Sequence, residues 1–198
     1  VRGGIQQYAL HASISGALVL AGCTDQIPGT PTSATATTYS CQAGSVTGQT
    51  YTQFRLNGQP FSASIPELPG WRSIPTALRE NQLALTKTIG KTRSYVALSI
   101  LRPEANRDKA FTQLDKLTKF DSSVSIVQYE AANVCGLAAS RLAGIAEKRG
   151  LRFEYLNLTY PFDGNYYPVQ LRAQMSMSDS SLFGAEVETM FRNLQIGP

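Results

Sequence analysis

The sequence predicts an α+β domain, an antiparallel sheet with two helices packed on one face, preceded by a signal peptide and a flexible tether. Three observations carry this. Strand spacing recurs in short segments between positions 61 and 175. Two longer segments, 105–120 and 178–193, switch to helical spacing. The first fifty or so residues lack the pattern of a packed element and read instead as a leader and a stalk.

The leader is predicted over 1–22. Arg2 is followed by an apolar run over 12–19 that closes in Leu20-Ala21-Gly22-Cys23. A basic start, a short apolar stretch and small residues before a cut site make up an export signal. The run is far shorter than the roughly 20 residues that span a bilayer. The four-residue ending resembles the lipobox of bacterial lipoproteins, in which the cysteine thiol takes a diacylglycerol and a peptidase cuts before it. Cys23 is therefore the predicted lipidation site. The competing reading is a buried amphipathic segment that happens to contain Cys23. Two fatty chains on one residue give stable anchoring, so the expected location is the outer face of the cell membrane, within the cell envelope.

The tether is predicted over 23–50. Thr30, Thr32, Thr35, Thr37 and Thr38 with Ser33, Pro28 and Pro31 leave little apolar area to offset ordering entropy. Such a stalk can also accept O-glycans.

The folded domain is predicted over 51–198, a size suited to one core. Phe61-Ser-Ala-Ser-Ile65 alternates as a half-buried strand, and Pro66, Pro69 and Gly70 break it before Trp71. Leu83 and Leu85 mark a second strand over 81–88, turned by Gly90 and Lys91. The stretch 95–101 is nearly continuous apolar sequence, as in a central strand covered on both faces.

Phe111, Leu114 and Leu117, with Ala110 and Phe120, form the apolar stripe of the first helix. Strand spacing returns at Val124, Ile126, Val127 and Tyr129. Leu137 to Ala146 places Ala139, Arg141, Ala143 and Ile145 on one face. Lys148 to Gly150 reverses the chain, and Phe153 and Tyr155 then lie opposite Leu156 and Leu158. Asp163-Gly164 marks a hairpin turn. Tyr167, Val169, Leu171, Ala173 and Met175 share one face of the last strand. Ser178, Asp179 or Ser180 caps the second helix, whose stripe is Leu182, Phe183, Val187, Met190, Phe191 and Leu194, with Glu186 and Glu188 on its polar side. The order is strands, helix, three-stranded meander, helix, for which a two-layer arrangement is the economical solution.

Cysteine and histidine usage bound the chemistry. The cysteines are Cys23, Cys41 and Cys135. With Cys23 lipidated in an oxidising compartment, an even pair remains, and a Cys41–Cys135 disulfide is expected. It would close a loop of roughly 95 residues, stabilising by roughly 4 to 5 kcal/mol on the chain-entropy model. Two unpaired thiols are the alternative. The lone histidine, His11, lies in the predicted leader. Its removal would leave no imidazole for a catalytic triad, a general base or a metal site. No Ser-x-x-Lys, Gly-x-Ser-x-Gly, phosphate loop or dinucleotide fingerprint occurs. No catalytic residue, metal or cofactor is expected. The formal charge is +4, with cations and acids interspersed, which gives no footprint for nucleic acid. The densest basic spot, Lys148-Arg149-Gly150-Leu151-Arg152, suits either anionic lipid head groups or an ordinary solvated hairpin tip.

A strand Phe61-Ser-Ala-Ser-Ile65 leading to Pro69-Gly70-Trp71, a strand pair before an amphipathic helix, Asn133-Val-Cys-Gly-Leu-Ala-Ala-Ser-Arg-Leu-Ala-Gly144, two meander strands and a C-terminal helix occur in that order. Over about 58–196 this pattern resembles the LpqN/LpqT family of mycobacterial lipoproteins, whose domain is similar to the Mog/PsbP-like fold. The chain departs from the pattern at Cys135. The resemblance implies an envelope lipoprotein that binds rather than catalyses, with an apolar groove for a lipid or glycolipid-like ligand and an association with envelope lipid transport. Trp71, Tyr155, Tyr160, Tyr166 and Tyr167 are candidate ligand-binding residues, because such side chains pair apolar bodies with polar handles. For any one of them the plainer reading is a core or sheet-surface residue, since aromatics are enriched in strands. Two rivals stand beside this reading. One is an envelope adaptor that docks proteins without a pocket. The other is a hydrolase built on Glu154, Glu130 or Asp163.

Overall fold

The computed structural model describes residues 50–54, 58–74 and 82–197. The predicted leader with His11, the predicted lipidation site Cys23, and Cys41 lie outside the described residues. The elements run β1 (Tyr51–Phe54), β2 (Ser62–Pro66), β3 (Arg72–Ile74), β4 (Gln82–Ile89), β5 (Thr92–Ile100), α1 (Arg107–Thr118), β6 (Ser125–Val134), β7 (Leu137–Ala146), β8 (Leu151–Phe162), β9 (Asn165–Ser176), α2 (Ser180–Arg192) and β10 (Gln195–Gly197). The main sheet is seven-stranded and antiparallel throughout, in the order β3-β4-β5-β9-β8-β7-β6. A smaller sheet, β1-β2-β10, joins the two ends of the described chain.

The long strands and both helices stand where the spacing predicts them. The meander is four-stranded, because the segment after the first helix pairs as fully as the rest. The short strands β1, β3 and β10 carry too few residues for a period to show. The chain end beyond α2 does more than stop the helix, since Gln195–Gly197 pairs with β2 and buries Ile196.

Local chemistry explains the boundaries. Asn106 caps α1, its side chain accepting from the N–H groups of Asp108 and Lys109. Asp163 and Gly164 hold φ of 48° and 71°, the left-handed pair that a two-residue hairpin turn demands. Cys135 and Gly136 form a second such turn between β6 and β7, with φ of 55° and 76°.

The sheet with two helices is as expected, but the helices do not share a face. Side chains alternate across a strand, and register sorts the contacts. Leu156, Leu158, Val169, Leu171 and Ala173 join Phe183, Val187, Met190 and Phe191 of α2 in the main core. Asn157 and Gln170, one position along, point to the other face as a cross-strand pair. There they meet α1. Asn157 Nδ2 and Gln170 Nε2 donate to Thr118 Oγ1 at 3.2 and 3.0 Å, and Gln170 Nε2 also donates to Asn157 Oδ1 at 2.9 Å. α1 therefore crosses beneath β8 and β9 on its way to the β6 edge, while α2 and the small sheet cover the opposite face. Six consecutive buried residues, 155–160 in β8, record that double cover. Two predicted stripe residues, Phe120 and Leu182, are exposed instead. Phe120 follows the last turn of α1, and Leu182 lies in the first turn of α2, beyond the reach of the sheet.

Candidate functional site: a cleft between the second helix and the meander

Alternation along β6 puts Gln128, Glu130, Ala132 and Val134 on the face that carries α2. Their register partners on β7 are Ala143, Arg141, Ala139 and Leu137. On β8, Glu154 and Leu156 lie beside Ala143 and Arg141. From above, α2 contributes Gly184, Glu188 and Phe191, which are four and three residues apart and so share one side of the helix. Between helix and strands lie two contiguous open hollows of about 240 and 280 Å³ that share Arg141 and Glu188.

Arg141 organises the cleft. Its Nη2 donates to Glu188 at 2.5 Å and stands 3.9 Å from a Glu154 oxygen. Its guanidinium lies 5.5 Å from the centre of the Phe191 ring, a cation–π arrangement. Arg192 pairs with the other Glu188 oxygen, and Arg152 with Glu154 at 3.2 Å. Gln128 donates to Glu130 at 2.5 Å. The Arg141 hydrogen bond, assisted by Arg192 and opposed by partial burial, holds the Glu188 carboxyl below its ordinary range.

The two hollows differ in chemistry. One is lined by Gln128, Glu130, Arg152, Glu154 and Gly184, and is rich in hydrogen-bonding groups. The other is lined by Ala132, Val134, Cys135, Leu156 and Phe191 together with Asn133 and Arg192, and is the more apolar of the two. Gly184 keeps the helix wall low, and a Cβ placed there would meet nothing within 4 Å. The arrangement offers a polar end and a more apolar end to one elongated ligand.

The five aromatic candidates are not gathered into one site. Trp71 lies under α2, its Nε1 donating to Glu186 at 2.7 Å and its ring 6.4 Å from Phe183. Lys87 reaches the other Glu186 oxygen at 2.6 Å. Tyr160 is fully buried against Phe61, and Tyr167 meets the same ring edge-on at 5.0 Å. Tyr155 is buried on the α1 face, stacked on Phe153, and burial raises its hydroxyl pKa. Burial does the same for Tyr160. Tyr166 lines a separate shallow hollow with Arg107 and Thr159. Of the three acids considered for hydrolysis, Glu130 and Glu154 line the cleft, whereas Asp163 sits in a remote hairpin turn.

In the sequence Arg141 falls on a strand face and Glu188 on a polar helix face, with nothing local to bring the two together. The one available signal was Gly184, a helix-breaking residue inside an otherwise good helix.

No protein-family model matches the sequence, and no curated protein matches it. Solved structures do match in fold. The crystal structure of LpqN of Mycobacterium tuberculosis, described as involved in cell envelope biogenesis, is similar with a TM-score of 0.58 at 17% identity, covering 76% of this chain and 92% of that one. The Ran-binding protein Mog1p of Saccharomyces cerevisiae is similar at 0.46 and 10% identity, covering 74% and 95%. The cyanobacterial PsbP of Synechocystis matches at 0.46 and 10%, covering 76% and 95%. The chain shares the antiparallel sheet and two helices of the LpqN structure.

Proposed function

We propose that this chain is a lipid-anchored protein of the cell envelope that binds rather than catalyses, and that the cleft between α2 and the meander holds an amphipathic, lipid- or glycolipid-like molecule. The observation that carries the reading is the junction of a polar and a more apolar hollow at the Arg141–Glu188 pair. An envelope role is also supported by the fold shared with LpqN. The acids of the cleft suit binding. Glu188 is held ionised by two arginines, whereas a general acid needs a raised pKa.

Attachment is assigned to Cys23, after removal of 1–22, with 23–50 as the stalk and 51–198 as the binding domain. Among the described residues no helix is long and apolar enough to cross a membrane. A disulfide between Cys41 and Cys135 belongs to the same reading. Cys135 stands in the turn between β6 and β7. It occupies a left-handed turn position where asparagine or glycine is favoured, so a role for its sulfur explains why it stands there.

The test is native mass spectrometry of protein purified from its own membrane. A co-purifying lipid mass on the wild type, lost on Arg141→Met, is the expected result. A ligand-free mass for the wild type overturns the lipid reading. Intact mass checks the acyl groups on Cys23, and thiol titration without reductant checks the disulfide, which two free thiols would rule out.

One observation favours the adaptor as a second reading. β6 is a ten-residue edge strand, exposed along almost its whole length. Such an edge can accept a partner's strand. A clean apo mass together with a stoichiometric protein partner, lost when Val127 or Tyr129 is replaced by proline, selects it.

A further inference from the structure

Among the described residues, seven large apolar side chains are exposed: Ile89, Phe120, Ile126, Val127, Tyr129, Met177 and Leu182. Single exposed apolar residues are ordinary, but six of these seven, all except Tyr129, lie at one end of the main sheet. That end collects the β4–β5 turn, the α1–β6 connection, the β7–β8 turn and the β9–α2 connection. Three contacts lock these together. Arg149 pairs with Asp121 at 2.5 Å, the Met177 N–H donates to the Gly150 carbonyl at 2.9 Å, and the Thr92 hydroxyl donates to Asp179 at 2.8 Å. Phe120 is 77% exposed at the tip. The opposite end, with its Cys135–Gly136 and Asp163–Gly164 turns, exposes no large apolar side chain among the described residues.

The same end carries Lys91, Arg93, Lys119, Lys148 and Arg149 against Asp121, Glu147 and Asp179. Asp121 is occupied by Arg149 and Ser123, and Asp179 accepts from Thr92. Among the described residues Lys91, Lys119 and Lys148 enter no ion pair. Apolar side chains ringed by lysines on adjoining turns form the surface that lies at a bilayer interface, with the apolar groups in the head-group boundary and the cations on anionic lipid.

We infer that this end of the sheet docks on an anionic lipid surface. The basic tip at Lys148 and Arg149 is thus one part of a four-turn surface rather than an isolated hairpin. The inference does not rest on acylation of Cys23 or on the cleft, and its test separates it from both.

The test uses the unacylated Cys23→Ser chain in co-sedimentation with vesicles of phosphatidylglycerol and of phosphatidylcholine. The chain should prefer phosphatidylglycerol, and the preference should fall as salt rises. Replacing Lys91, Lys119 and Lys148 together by glutamine should weaken binding by about fivefold per charge. Phe120→Ser should weaken it roughly tenfold. Arg102→Gln, which removes a cation at the opposite end, should leave binding unchanged. Circular dichroism confirms that each variant is folded, and Phe120→Trp provides a reporter whose emission should shift to the blue on vesicles. Equal binding to the two vesicle types overturns the inference. So does binding that the tip variants leave intact, which would place it in the apolar run near the N-terminus. Self-association or protein binding through this end without vesicle binding overturns it as well.

Discussion

Thr118→Val is the sharpest probe of the architecture. The substitution preserves shape and deletes one hydroxyl. In the native chain that oxygen accepts from Asn157 Nδ2 and Gln170 Nε2 and donates to the Leu114 carbonyl at 2.9 Å. All three residues are buried, with Asn157 at 1% exposure. Gln170 Nε2 keeps its bond to Asn157 Oδ1, so it loses one of two partners. Asn157 Nδ2 loses the partner it has on α1. An orphaned buried donor costs about 1 to 3 kcal/mol and a lost bond about 1 more, giving a destabilisation of about 2 to 4 kcal/mol. For a domain of this size that is a fall in Tm of about 4 to 16 °C. Urea unfolding should show a lower midpoint with an unchanged slope, since the exposed area on unfolding is the same. Combining Thr118→Val with Asn157→Leu and Gln170→Leu removes donors and acceptors together and should recover much of the loss. A cost below about 0.5 kcal/mol for Thr118→Val would refute the buried trio and, with it, the placement of α1 opposite α2.

Three further outcomes follow from the same structure. Glu188 has a folded-state pKa below its unfolded value, so its ion pairs add stability that is present above the ordinary carboxylate range and lost as pH falls through the depressed folded value. Glu188→Gln should therefore cost on the order of 1 kcal/mol near neutral pH, and the gap to the wild type should close in acid, as pH-dependent urea titrations would show. Gly184→Ala should raise stability by about 0.5 to 1 kcal/mol, because its Cβ would enter open space within a helix, and it should narrow the cleft. Gly144→Ala should do the reverse by about 1 to 3 kcal/mol, since its Cβ would stand 2.6 Å from Val124 Cγ1, and thermal melts compare the two directly.

The elements of this fold were legible because each declares itself over a short window. Two-residue alternation in β2, β8 and β9, helical spacing in α1 and α2, and Asp163-Gly164 at a hairpin are local facts of backbone geometry. The sided arrangement is also partly written in the sequence. The continuous apolar run of β5 called for cover on both faces, and Asn157 and Gln170 stood at the parity opposite Leu156 and Leu171. A sheet buried on two sides needs a helix on each, so the two-layer solution left one face bare. The site was not legible in this way. Arg141, Glu154 and Glu188 come from β7, β8 and α2, and they meet only because α2 lies across the strands that β7 and β8 form. The same holds for the apolar and basic turns at the end of the sheet, which are separated by scores of residues and adjoined by strand register. Period and turn chemistry act within a few residues of chain. Charge pairing and surface composition act through space, and space is set only once the strands have chosen their neighbours.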